Sequence, residues 1–213
     1  MNKQSGFTLI ELAIVLVIIG LLLGGVLKGQ ELINSAKVKN MANDFRNIQV
    51  QIYSYQDKFR ALPGDDRAAT AHVNATTNGN GNGVIDGAWN STTQTDDSYL
   101  FWQHIRLAGL ATGSTTLGAP TYLPTNTEGG GIGVQSNPQN TITGLTGSYA
   151  ICSEGILGKF VKQLDTTLDD GDPTTGSMMA AASGTVTGLA PVAPVASTAA
   201  NFDSTKYTVC MAF

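Results

Sequence analysis

The chain has 213 residues, 42% of them hydrophobic, enough for one buried core beyond an apolar anchor. Charged residues make up only 13% and the net charge of −4 is split: six bases face three acids between residues 28 and 60, but five bases face twelve acids from residue 61 onward. Such an acidic portion is a poor general surface for nucleic acid, whose phosphates demand clustered Lys and Arg, so nucleic-acid binding is disfavoured.

The first element is an apolar run over residues 7–27, FTLIELAIVLVIIGLLLGGVL, interrupted only by Glu11. As a helix it spans roughly 30 Å, the thickness of a bilayer's hydrocarbon core, so membrane lipid is its expected surroundings. A cleaved secretory signal would end in a small-residue cleavage site. Here the run continues into Lys28-Gly29-Gln30-Glu31 and a helical pattern, so it reads as retained. Glu11 is the exception within it, since an ionised carboxylate at that depth costs several kcal/mol unless it reaches an interface or a cation.

The residues around Glu11 decide between those readings. Lys3-Gln4-Ser5-Gly6 followed by Phe7-Thr8-Leu9-Ile10-Glu11-Leu12 resembles the processing motif of type IV prepilins and pseudopilins, with its short polar leader, Gly, Phe, a Glu four residues later and then the apolar run. The resemblance implies that a prepilin peptidase removes residues 1–6 by cutting between Gly6 and Phe7, then methylates the Phe7 amine. It also implies that the Glu11 carboxylate of one subunit pairs with the Phe7 ammonium of a neighbour in a filament. Such a pair sets register more than it adds stability, because desolvation offsets much of the attraction. Lys3 alone precedes the run whereas Lys28, Lys37 and Lys39 follow it, so the cytoplasmic placement of the N-terminus rests on the motif.

Beyond the run, Met41, Phe45, Ile48, Ile52, Tyr55, Phe59 and Leu62 recur at steps of four and three, an amphipathic helical stripe over residues 28–62. No Pro precedes Pro63, so one helix is expected from about Phe7 to about Ala61, its second half laid against a head of residues 63–213. Leu62-Pro63-Gly64 ends it. In the loop that follows, Asn78, Asn80, Asn82 and Asp86 place oxygen-bearing side chains at alternate positions, resembling the start of a Ca2+ loop. Trp89 stands where a closing Glu belongs, and an Asn-Gly turn without metal is the competing reading. Ca2+ is the one cofactor candidate.

Asp96-Asp97-Ser98 predicts a helix start before the aromatic cluster of residues 99–108, with Gly109 or Gly113 as its end. Residues 113–140 read as polar loop, 148–152 as strand, and Ile156, Leu157, Phe160, Val161, Leu164 and Leu168 as a helix that stops at Asp169-Asp170-Gly171-Asp172-Pro173. The acids of that turn are a second cation candidate against the common metal-free Asp turn. Residues 183–197 suggest edge strand or loop, and Tyr207, Val209, Met211 and Phe213 alternate as a terminal strand. His72 and His104 stand far apart without ligand partners and read as structural or surface residues. Cys152 and Cys210, the only cysteines, read as one disulfide in an exported chain, closing a loop worth roughly 4 kcal/mol by chain entropy, as the family's C-terminal bond implies.

These features predict an α+β fold: a long N-terminal α-helix packed on a small head with an antiparallel β-sheet, similar to pilins. The resemblance implies a structural subunit of a type IV pilus or a type II secretion pseudopilus, made in the bacterial inner membrane and then assembled in the periplasm or at the cell surface. Its implied partners are copies of itself, other pilin-like subunits, the prepilin peptidase and an inner-membrane assembly platform. The alternative is a minor or tip subunit that binds a ligand or substrate through residues 75–89 and 113–140. No nucleophile motif, metal spacing or phosphate-cradling loop speaks for an enzyme.

Overall fold

The computed structural model describes residues 8–213. In chain order these form α1 (Leu9–Phe59), α2 (Ala69–Val73), α3 (Asp97–Leu107), β1 (Ile132–Ser136), β2 (Tyr149–Leu157), α4 (Gly158–Leu168), β3 (Met178–Ala182) and β4 (Lys206–Ala212). This is the expected α+β arrangement, a long N-terminal helix followed by a small antiparallel sheet. The chain divides between Lys37 and Val38 into two compact units.

In the first unit the apolar side chains of α1, among them Ile10, Leu16, Leu21 and Leu27, are exposed. Among the described residues this is the one helix long and apolar enough to cross a membrane.

The second unit begins on the same helix, where the sequence turns from uniform apolarity to a stripe. Val38, Met41, Phe45, Ile48, Ile52 and Tyr55 are buried there. They join a core with Phe101, Trp102 and Ile105 of α3, with Phe160, Val161 and Leu164 of α4, and with one face of the sheet. Each such side chain contributes about 1.5–3 kcal/mol when fully buried. The helix stops at Arg60, which adopts a left-handed φ of 54°, ahead of Pro63.

The sheet order is β1-β2-β4-β3, antiparallel throughout. Register separates two rows. Val134, Ile151, Met211 and Met178 lie side by side on the face that meets the helices. Gly133, Cys152, Cys210 and Met179 form the adjacent row, and Cys152, Cys210 and Met179 pack with Trp89, Ile142, Leu145 and Val186. Gly133 is required at its place, because a Cβ there would run into the carbonyl oxygen of Trp89.

Two expectations change, and a third, for residues 183–197, resolves to loop. Ile156 and Leu157 belong to β2 rather than to the following helix: Gly155 takes a φ of +75° at a register shift, which lets the strand resume with Ile156 opposite Tyr207 before α4 starts. Residues 113–140 are not loop throughout, since β1 lies among them. The edge strand facing β4 is Met178–Ala182, while residues 183–197 are loop with one bridge from Val192 to Ile142. Met and Ala carry weak strand propensity, and burial against β4 overrides it.

Candidate functional site

The candidate assembly site lies at the start of α1. Gly6 and Phe7, the residues of the expected cleavage, lie outside the described residues. Thr8 precedes the first helical residue, and its backbone N–H and hydroxyl both donate to Glu11 Oε2 at 2.8 Å, while Glu11 N–H points back to Thr8 Oγ1 at 3.3 Å. This is a capping box, in which the third residue of a helix satisfies the residue before it. The Thr8-Leu9-Ile10-Glu11 spacing, Thr followed three residues later by Glu at the head of an apolar run, carries that signal in the sequence. Both Thr8 bonds fall on Oε2, and a carboxylate has four lone-pair positions, so the cap does not exhaust the acceptor capacity of Glu11.

The Asn-Gly loop has a definite architecture. Asp65 is almost fully buried and receives three backbone N–H groups: Gly81 and Asn82 donate to Oδ1 at 2.6 and 3.0 Å, and Gly83 donates to Oδ2 at 2.7 Å. Successive N–H groups converge in this way only when alternate residues turn left-handed, and Gly81 and Gly83 do so with φ of 72° and 85°. The alternating glycines thus build a nest for the Asp65 carboxylate.

Of the four residues expected to ligate calcium, the structure brings three together. Asn80 and Asn82 donate their side-chain amides to Asp86 Oδ2 at 3.1 and 2.8 Å. Asn78 is drawn away, its Oδ1 accepting the Thr70 N–H at 2.8 Å. Trp89, at the closing position, is a core anchor: its backbone N–H donates to Gln135 Oε1 and its indole to the Val186 carbonyl. Beside the loop, burial pushes the Asp97 carboxyl up to about 6, aided by Asp65, Asp86 and Asp96.

Both histidines are structural. His104 is fully buried, accepts the Gly64 N–H at Nδ1, and is held down to about 4 by burial. His72 Nδ1 meets Asp66 Oδ2 at 2.7 Å, and Tyr55 donates its hydroxyl to that same oxygen. Burial alone would raise Asp66, but His72, the Ala68 N–H and Tyr55 together hold it below the ordinary value.

At the far end of α4, Asp165, Asp169 and Asp170 each offer a carboxylate oxygen within 4.8 Å of the others. Asp169 and Asp170 belong to the acidic turn expected from the sequence; Asp165 joins them from one helical turn earlier, and its spacing of four from Asp169 is the sequence signal for it. Cys152 and Cys210 face each other across β2 and β4 and are joined by a disulfide.

No curated protein and no solved structure matches the chain. Residues 1–27 match the family model described as the prokaryotic N-terminal methylation motif, so the chain carries the leader signature of type IV pilins and pseudopilins.

Proposed function

We propose that the protein is a structural subunit of a type IV pilus or secretion pseudopilus, polymerising through the apolar segment of α1 after cleavage between Gly6 and Phe7 and N-methylation of Phe7. The observation that carries this reading is the juxtaposition, within one short stretch, of the methylation motif, a bilayer-length apolar segment of α1 with its side chains exposed, and a single carboxylate within that segment at Glu11. An exposed apolar helix is stable only where lipid or other apolar helices cover it. Lipid covers it before assembly, and neighbouring copies cover it afterwards. Glu11 then offers its other oxygen, Oε1, to the Phe7 ammonium of the adjacent subunit, fixing the axial step between copies.

Mass spectrometry of sheared surface filaments tests the role directly. A peptide beginning at N-methylated Phe7 is expected there. Processed protein confined to membranes would instead favour a pseudopilin or minor subunit, and absence of the Phe7 terminus everywhere would overturn the reading. Glu11→Ala should leave the chain inserted and folded but reduce filament yield at least tenfold. Yield equal to wild type would remove Glu11 from assembly. Thr8→Val separates the two roles of Glu11: loss of the local cap costs about 1 kcal/mol at the helix terminus and leaves the intersubunit pair available.

A further inference from the structure

We propose that Asp165, Asp169 and Asp170 form a binding site for a hard divalent cation, Ca2+ by size and ligand chemistry, where α4 ends. The first observation is their geometry, three carboxylate oxygens within 4.8 Å of one another. Ca2+ holds oxygens at roughly 2.3–2.6 Å, so ligands on one ion stand up to about 5 Å apart, and carboxylates are its preferred donors.

The second observation is independent of that clustering. Asp165 is 0% exposed; its Oδ1 accepts the Gly171 N–H at 2.6 Å, but its Oδ2 is buried without a hydrogen-bond partner. A buried carboxylate oxygen left bare is costly and calls for a cation or a proton. Burial raises Asp165 to about 6, with Asp170, Asp169 and Asp172 adding to the effect. A cation held among the three carboxylates would give that oxygen its partner.

The other two carboxylates are positioned rather than consumed by their hydrogen bonds. Asp169 Oδ2 accepts the Met178 N–H at 2.8 Å, and a Cβ at Gly176 would collide with that same oxygen. Asp170 accepts the Asp172 N–H on one oxygen and the Thr175 hydroxyl on the other. Each oxygen so engaged keeps a second lone pair for a metal. The Asn78–Asp86 loop offers a contrast, since Asp86 Oδ2 already receives two amide donors. A bound ion would tie the end of α4 to the segment that enters β3.

The test uses the full chain in detergent, stripped with chelator and titrated with calcium chloride, followed by calorimetry and thermal unfolding. Wild type should bind calcium and gain on the order of 5 °C in Tm at saturation. Asp165→Asn keeps the acceptor for Gly171 but removes the charge. Asp170→Asn is exposed, and so is safe for folding. Both should lose one bound ion and the Tm gain, whereas Asp86→Asn should keep both. Absence of binding by wild type up to about 10 mM calcium overturns the site, as does binding that survives both Asp165→Asn and Asp170→Asn or disappears only with Asp86→Asn.

Discussion

The two acidic loops of the second unit solve the same electrostatic problem differently. Around residues 78–86 the backbone itself supplies the positive ends: three N–H groups converge on Asp65, and two Asn amides cover Asp86. Around residues 165–172 the hydrogen-bond donors fall mainly on the exposed acids Asp170 and Asp172, and one oxygen of the buried Asp165 is left bare. Glycine accounts for the contrast. Gly81 and Gly83 give the first loop the left-handed residues that aim N–H groups inward, whereas Gly171, at φ of 89°, sends a single N–H to Asp165. One loop is therefore complete within the chain, and the other is built to be completed by something else.

The sharpest way to break this comparison is Asp65→Ala. Removing the anion strands three backbone donors at a buried position and should cost about 3–4 kcal/mol, read as a lowered Tm and lost hydrogen-exchange protection at Gly81, Asn82 and Gly83. A loss below about 1 kcal/mol would mean that the nest is incidental.

Next comes Asp165→Asn in calcium-free solution, where the sign is opposite. A carboxyl raised from 3.8 to about 6 binds its proton more tightly folded than unfolded, so its contribution is present at low pH and is lost as pH rises through about 6. The variant should match wild type near pH 4 and exceed it at pH 7.5, by at most about 3 kcal/mol. Equal stability at both pH values would show that the bare oxygen carries no penalty.

The smallest effect belongs to Asp86→Asn. Its carboxylate is exposed and its two amide contacts are shared with solvent, so unfolding should move by less than about 1 kcal/mol. A larger loss would place Asp86 beside Asp65 as an organising anion.

What was legible in the sequence follows from which forces act locally. The stripe from Met41 to Tyr55, the Asp97 helix start, the terminal strand and the cysteine pair were readable, because periodicity, dipole complementarity and export chemistry are local or compositional signals. The methylation motif was readable for a different reason, as a fixed spacing of Gly6, Phe7 and Glu11 before an apolar run. β1 and β3 were not readable: Ile132–Ser136 contains Gly and Gln, and Met178–Ala182 has no β-branched residue, so both become strands through their neighbours. The role of Asp65 was equally hidden, since its donors lie sixteen to eighteen residues away. The spacing of four from Asp165 to Asp169 was readable, but the burial of Asp165 Oδ2 without a donor is visible only in the folded turn.

The strand order has a consequence in time. β4, last of the four strands in the chain, lies between β2 and β3, so during synthesis β3 emerges before any strand it can pair with. A nascent chain lacking Lys206–Ala212 can zip β1 to β2 but leaves β3 and half of β2 with unanswered backbone groups. The sheet can therefore close only once Lys206–Ala212 has been made, long after the apolar segment of α1 has left the ribosome.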